Sequence, residues 1–322
     1  MKYVTDWRSA RLAEIEEPAE DIRMLTFAVE GVLPSFDPGS HTRIRVIVDG
    51  QPGVRSYTVL PSPAGTLRIA VKRHENSRGG SRYLWTLSLG DETQMTVPEN
   101  RFALSWRAPS YLLIAGGIGV TPIYGMVQAL AARGTDFRVL YAARSRSMLA
   151  FAEEIKAIAG DRAEFYCQDE GRNIDFEAEF ARLADNEELY ICGPVGMLNA
   201  AKHAWEAARR KPSRFRYEVF GDSGLFSEQP FRVEIPSKGA VIDVRSDQSL
   251  LDALMGAGID MIYDCQRGEC GLCAVTILEA EAPVDHRDVF FSEEEKRENH
   301  RMCACVSRIA GGRAVIDTGY RP

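Results

Sequence analysis

The sequence predicts a multidomain chain of three modules: an antiparallel β-barrel, an α/β domain on a parallel sheet, and an α+β module around a thiol-rich loop. Three observations carry this expectation. The first hundred residues are short runs rich in Val, Ile, Leu and Thr, broken by Gly, Pro or Asp. Near Pro109 the pattern changes to strand–helix alternation. Beyond a polar, Gly-rich stretch at Gly221–Pro230, the last segment holds five of the seven cysteines.

In the first module the predicted strands are Arg11–Ile15, Ile22–Val29, His41–Val48, Ser56–Leu60 and Leu67–Lys72. Two polar stretches interrupt them. One is Arg55-Ser56-Tyr57-Thr58. The other runs from Lys72 through Arg73, His74, Glu75, Asn76, Ser77 and Arg78 to Gly79-Gly80-Ser81, and leads into a helix expected over Arg82–Leu89. Free backbone N–H groups at Gly-Gly-Ser suit a phosphate, and Arg55 adds a charge-assisted hydrogen bond to the same group. Taken alone, a hairpin strand and a glycine loop explain these residues as well.

The second module reads as strands at Tyr111–Ala115, Phe137–Ala142, Ala163–Cys167 and Glu188–Cys192. Helices are expected at Ile123–Ala132, Met148–Ile158 and Val195–Arg209. Such alternation means a parallel sheet covered by helices. Ligands of these sheets bind outside the carboxyl ends of the strands. Two glycine turns fall there: Gly116-Gly117-Ile118-Gly119-Val120-Thr121-Pro122, and Cys192-Gly193-Pro194. The first is not the G-x-G-x-x-G fingerprint, and close strand–helix packing alone also explains it. A thiol nucleophile at Cys192 needs a histidine partner; His203, the nearest in sequence, is expected on a helix.

The third module opens with a hairpin, Phe231–Ile235 and Val241–Val244, and a helix at Ser249–Ala257. Strands at Ala274–Leu278 and Ala314–Asp317 close it. Between them Asp264–Cys273 holds Cys265, Cys270 and Cys273 as C-x4-C-x2-C, the plant-type ferredoxin spacing for a 2Fe–2S cluster. Gly268 and Gly271 between the ligands permit unusual φ values and close backbone approach. Zinc ligands normally come as two short pairs, which this spacing does not match; buried structural thiols are the other reading. A fourth ligand must come from downstream, where Cys303 and Cys305 are both available. Glu293-Glu294-Glu295 reads as a solvated helix N-terminus.

Composition narrows the class. Hydrophobic content of 45% and charged content of 26% are those of a globular chain. A net charge of −7 argues against a general nucleic-acid binder and suits docking to a basic protein partner. The first twenty residues lack an apolar h-region, and no window approaches the roughly 18 apolar residues of a membrane span. The cysteine distribution fits a reducing cytoplasm rather than a disulfide framework.

In this order the motifs resemble the phthalate dioxygenase reductase family, the NADH-dependent reductase components of Rieske oxygenase systems, which include vanillate demethylase and carnitine monooxygenase reductases. The resemblance rests on Arg55–Thr58, Asn76–Ser81, Gly116–Pro122, Cys192–Pro194, Glu218–Phe220, the cysteine triplet, Asp285–Asp288 and Cys305–Arg308. It implies an FMN-binding barrel at 1–107, a NAD-binding domain at 108–222, a linker at 223–230 and a plant-type ferredoxin of the β-grasp kind at 231–322. Arg55, Ser56, Tyr57 and Thr58 would hold FMN, with Val71 and Lys72 nearby and Gly79, Gly80 and Ser81 at its phosphate. The Thr58 hydroxyl would meet flavin N5, and Phe220 would lie against the isoalloxazine. Gly116, Gly117, Gly119, Thr121, Arg144, Cys192, Gly193 and Pro194 would line the nucleotide site. Thr58, Thr121, Cys192 and Phe220 would stand nearest the reaction, and Cys265, Cys270, Cys273 and Cys305 would hold the cluster.

Two departures stand out. Thr58 replaces the commoner serine, keeping the hydroxyl. The segment between Cys273 and Asp285 is about two residues longer than the family's. Counting from Cys273, 29 residues precede Cys303, the usual plant ferredoxin separation, and 31 precede Cys305. Alignment on Asp285–Asp288 instead favours Cys305.

The resemblance implies electron flow from NADH to FMN to 2Fe–2S to a terminal Rieske-type oxygenase, in a cytoplasmic monomer. A stand-alone flavin reductase or NADH oxidase is the competing enzyme, and a cluster-based redox sensor the competing non-enzyme. NADH over NADPH rests on the resemblance; Arg144 and Arg146 would suit a 2′-phosphate, and solvated loop charges are their other reading.

Overall fold

A computed structural model describes residues 6–48, 50–73, 79–220, 226 and 228–319. Most of the chain up to Glu218 forms one compact unit, and the chain from Val219 forms most of a second.

The first module holds β1 (Trp7–Ala19), β2 (Ile22–Val29), β3 (Ser40–Val48), β4 (Gln51–Thr58), β5 (Thr66–Lys72), α1 (Gly80–Thr86), β6 (Glu92–Thr96) and β7 (Glu99–Asn100). The sheet runs β4-β3-β6-β1-β2-β5, with β7 on β3, and these neighbours pair antiparallel. Leu60, just beyond β4, bridges Arg68 in β5 and draws the outer strands together into the expected barrel. Its core includes Leu12, Phe27, Ile44, Leu67, Ile69 and Met95. β4 starts at Gln51, not Ser56. Val48 pairs with Gln51 around Gly50 at φ 76, and Pro52 is tolerated because β4 is the outer strand of its ladder. α1 starts two residues before Arg82, and ends at Thr86.

The second module holds β8 (Ser110–Gly116), α2 (Val120–Ala132), β9 (Asp136–Ala143), α3 (Ala152–Ala159), β10 (Ala163–Cys167), α4 (Phe176–Ala181), β11 (Glu188–Gly193), α5 (Val195–Ala207) and β12 (Phe215–Val219). The order is β10-β9-β8-β11-β12, and β10, β9, β8 and β11 pair in parallel. Tyr111 to Ala115 in β8 are fully buried, as a strand covered on both faces requires. The chain turns one way from β8 to β9 and the other way to β11. The carboxyl ends of β8 and β11 therefore form a topological switch point. α3 begins at Ala152 rather than Met148, because a 3-10 turn at Arg146–Met148 and Phe151 at φ 60 precede it. α4 and β12 were not expected, although the alternation Phe215-Arg216-Tyr217-Glu218-Val219 signals a strand.

The third module holds β13 (Phe231–Ile235), β14 (Ala240–Val244), α6 (Leu250–Gly256), β15 (Ala274–Ala280), β16 (Val284–Asp285), α7 (Glu293–Glu298), β17 (Arg301–Cys303), β18 (Arg308–Ile309) and β19 (Gly312–Asp317). Its mixed sheet runs β14-β13-β19-β15-β17, with β13 and β19 parallel, and β16 pairs with β18. Val233, Leu250, Leu254, Met302, Ile309 and Ile316 fill the core. The Ser249 hydroxyl caps α6, and Ser292 with Glu295 forms a capping box on α7, where the acidic run was expected to start a helix. In the expected linker, residues 223–225 and 227 lie outside the described set. Among the described residues no helix is long and apolar enough to cross a membrane.

Candidate functional site

The barrel brings Arg55 and Gly80 together. A Cβ on Gly80 would meet Arg55 Cγ at 2.5 Å and Nε at 2.9 Å, so only glycine lets the arginine shaft cross the start of α1. Gly79 before it sits at φ 82, with Val48 where a Cβ would go. Ser81 follows. A guanidinium, a hydroxyl and backbone N–H groups thus gather at one turn, a donor set suited to a phosphate. His74 to Arg78, the rest of that polar stretch, lie outside the described residues. On β4, Arg55 and Tyr57 share one face, and Ser56 and Thr58 the other. Val71 is buried in β5, and its carbonyl accepts from Trp85 Nε1 at 3.2 Å. Burial pushes the Lys72 ammonium below its usual range, and the Arg144 guanidinium adds to this.

Thr58 belongs to a buried polar network that the sequence did not reveal. It is the cross-strand partner of His41 in β3, and its Oγ1 lies 3.2 Å from His41 Nε2. Glu218 Oε1 lies 2.8 Å from the same nitrogen. His41 Nδ1 is 3.0 Å from the Gly39 carbonyl, which only accepts, so Nδ1 carries a hydrogen. All three side chains are buried. No local signal marked His41, and Glu218 was marked only as part of the Glu218–Phe220 motif, because the network joins β3, β4 and the end of β12 across the chain. Phe220 follows β12 directly and is half-buried.

At the switch point the two glycine turns pack backbone on backbone. A Cβ on Gly119 would lie 2.2 Å from the Cys192 carbonyl oxygen, and one on Gly193 would lie 3.1 Å from Gly116 Cα. Gly117 adopts φ 54. Thr121, in the first turn of α2, is buried and donates to the Ile118 carbonyl at 3.1 Å, which locks the turn. Cys192 is fully buried at the end of β11, and Pro194 beyond it is exposed. His203 lies on α5, exposed. Arg144 leaves the carboxyl end of β9.

In the third module Cys265 and Cys273 are buried and Cys270 is half-exposed. The N–H groups of Arg267 and Glu269 both donate to Cys265 Sγ at 3.4 Å. Burial pushes that thiol up, and these donors oppose the shift. Gly268, at φ 74, leaves no room for a Cβ between Val306 and the Asp288 backbone; Gly271, at φ 71, leaves none beneath the Phe290 ring. Hydrogen bonds from the Cys303 and Cys305 thiols hold Cys273 down at about 3, and the same contacts push those two thiols up. Cys305 also feels Cys265 and takes the Gly268 N–H, whereas Cys303 faces Asp288. An extended segment would put both on one side; instead the chain turns at 304–306 immediately after β17. The loop thus gathers thiols under inward-pointing N–H groups, the environment in which thiolates ligate iron.

Behind the loop, Asp285 and Glu228 clamp the buried Arg287 guanidinium at 2.7 Å and 2.8 Å. Asp288 accepts from the Ser307 hydroxyl at 2.8 Å and from the Phe291 N–H at 3.1 Å. Glycine 268 packs on this framework, so the second half of the Asp285–Asp288 motif positions the loop.

Comparison with known proteins follows the same division. Residues 9–104 match the oxidoreductase FAD-binding domain family, 113–203 the oxidoreductase NAD-binding domain family and 233–310 the 2Fe-2S iron-sulfur cluster binding domain family. The heme-dependent oxidative N-demethylase beta subunit of Ectopseudomonas mendocina (strain ymp) is 35% identical over 311 residues, 95% of this chain and 97% of its own length. The structure of phthalate dioxygenase reductase superposes with a TM-score of 0.75 at 27% identity, over 97% of this chain and 98% of that one. A type IV self-sufficient cytochrome P450 monooxygenase matches 96% of this chain at 32% identity and a TM-score of 0.67. The match spans only 41% of that longer protein. A flavin-binding barrel, a NAD(H)-binding domain and a 2Fe–2S domain therefore follow one another in this chain.

Proposed function

The chain belongs to the phthalate dioxygenase reductase family, and we propose that it carries electrons from NADH through FMN and a 2Fe–2S cluster to a Rieske-type oxygenase partner. The observation that carries the proposal is the thiol loop, with Cys305 under the Gly268 N–H, on a chain that also holds the paired glycine turns of β8 and β11. A flavin supplies the exchange between a two-electron hydride donor and a one-electron cluster.

The residues divide this work. Arg55, Ser56, Tyr57, Thr58, Val71, Lys72, Gly79, Gly80 and Ser81 hold FMN, with the phosphate at the Arg55–Gly80 contact. His41 and Glu218 fix the Thr58 hydroxyl. Gly116, Gly117, Gly119, Thr121, Arg144, Cys192, Gly193 and Pro194 receive NADH, and Phe220 would lie against the isoalloxazine, as the family resemblance implies. Cys265, Cys270, Cys273 and Cys305 hold the cluster. No side chain has to act as acid, base or nucleophile; the protein positions, and it excludes water. Domain limits of 1–107, 108–222 and 231–322, joined by 223–230, follow from this reading, as does a cytoplasmic monomer.

Cys270→Ser tests the electron order. It should lose the cluster while NADH-driven ferricyanide reduction largely survives, and reduction of the oxygenase should fail. Intact transfer to the oxygenase would put the cluster off the electron path; turnover with free flavin or O₂ in preference to the oxygenase would support the stand-alone flavin reductase, and absence of NADH binding the redox sensor. Acid-released flavin should run as FMN; recovery of FAD would overturn the phosphate assignment. A haem acceptor is the second reading, favoured by the name of the heme-dependent relative. Reduction of a purified haem oxygenase faster than a Rieske one would select it.

A further inference from the structure

β9 and β10 end side by side, since Cys167 is the parallel partner of Ala143. The turns leaving them are tied together where the Asp169 N–H donates to the Arg144 carbonyl at 3.0 Å. In a doubly wound sheet the adenosine ribose lies over this region. An acidic residue here takes a 2′-hydroxyl, and an arginine here takes a 2′-phosphate. This chain places both kinds together. Arg146 Nε donates to Glu170 Oε1 at 2.5 Å, and its Nη2 donates to Oε2 at 3.0 Å. Asp169 faces the same guanidinium. Its carboxylate, that of Glu170 and the Cys167 sulfur all lie within 4.8 Å of one another. Arg172, also near Cys167, lies over the Tyr166 ring at 5.3 Å, and Arg144 lies near Lys72.

We propose that Glu170 determines coenzyme specificity: by occupying the Arg146 fork it turns away the 2′-phosphate and selects NADH over NADPH. The inference rests on the nicotinamide-nucleotide reading of this sheet. The bidentate carboxylate fills the Nε/Nη2 edge of the guanidinium and leaves only its Nη1/Nη2 edge. Whether a 2′-phosphate displaces Glu170 or takes the remaining edge, it must stand close to two carboxylates. A 2′-hydroxyl meets no such repulsion, and a carboxylate accepts its hydrogen. Discrimination therefore comes from a repulsive arrangement rather than from a better contact with NADH. The pair is partly exposed, at 67% and 33% for the two side chains, so salt should weaken the discrimination.

Calorimetric titration of the flavin-loaded protein with 5′-AMP and with adenosine 2′,5′-bisphosphate tests this, alongside kcat/KM for NADH and NADPH. Glu170→Gln should improve bisphosphate binding and kcat/KM for NADPH by about tenfold, with no gain in 5′-AMP binding. Adding Arg146→Ala should remove the gain. An unchanged bisphosphate affinity in Glu170→Gln, an equal gain for both nucleotides, or a gain that survives Arg146→Ala would each overturn the proposal. Failure of the parent protein to bind either nucleotide would overturn the nucleotide-site reading itself, and the inference with it.

Discussion

His41 Nε2 lies 2.8 Å from Glu218 Oε1, and both side chains are buried. The Gly39 carbonyl holds the other ring nitrogen, so the imidazole is fixed from both sides. Thr58 Oγ1 meets Nε2 as well. The hydroxyl expected at flavin N5 is therefore oriented by a histidine that is itself oriented by a carboxylate. Removing one partner of a buried pair leaves the other desolvated and unmatched.

Glu218→Ala should accordingly cost about 3 kcal/mol of stability in the flavin-loaded protein. Glu218→Gln should cost about 1 kcal/mol, because its amide can donate to Nε2 while Nδ1 keeps its hydrogen. Urea midpoints of the two variants check this. Equal losses for both, or none for either, would show that the contact carries no stability.

The division into barrel, parallel sheet and cluster module was legible because each has its own hydrophobic period and its own breakers. β2 and β10 were placed to the residue, since their apolar runs end abruptly at charged or polar turns. The start of β4 was not, because Pro52 and Gly53 read as breakers and only the pairing with β3 makes them a strand. Among site residues, local clusters such as Cys265–Cys273 announce themselves. His41 and Glu170 do not, and the Glu218–Phe220 motif does not tell what Glu218 binds, since what matters about each is a partner 17 to 177 positions away.

Gly80→Ala should weaken flavin retention about as much as Arg55→Ala. The new Cβ would sit 2.5 Å from Arg55 Cγ, pushing the guanidinium off the turn. Loss of one charged hydrogen bond to the phosphate is worth about 1.5–3 kcal/mol, or about 10- to 100-fold in affinity. Flavin fluorescence on dilution measures it. Full retention of flavin by Gly80→Ala would place the phosphate elsewhere.

Lys72 gives a pH-dependent signature. Its folded pKa is lowered, by burial first and by Arg144 second. Between that lowered value and about 10.4, the unfolded chain holds the extra proton, so stability of the ligand-free protein rises with pH across this window. An anion bound beside Lys72 favours the charged form and opposes this rise. Lys72→Met should flatten the rise and weaken flavin or nucleotide binding. A rise that persists in Lys72→Met would assign it to another group.

The fourth cluster ligand should be Cys305 rather than Cys303. Counting residues from Cys273 points to Cys303, at the usual ferredoxin separation, but three structural facts point the other way. Cys305 lies close enough to Cys265 and Cys273 to interact with both, whereas Cys303 interacts with Cys273, Asp288 and Cys305. Cys305 receives a loop amide, from Gly268, the kind of donor that tunes a cluster thiolate. The two sulfurs also leave the chain differently: Cys303 closes β17 in register with Ala274, and Cys305 sits in the turn beyond. The extra residues are absorbed upstream, where β15 extends to Ala280 and slips register between Ile277 and Glu279. Cys305→Ser should therefore abolish or markedly shift the cluster's visible absorption and EPR spectrum. Cys303→Ser should leave both unchanged and cost only core packing, about 1 kcal/mol or more, because a hydroxyl replaces a fully buried thiol. Since both thiols lie against Cys273, a rescued cluster in Cys305→Ser must be tested by the double variant, which should hold none. A normal spectrum in Cys305→Ser together with a lost one in Cys303→Ser would make Cys303 the ligand.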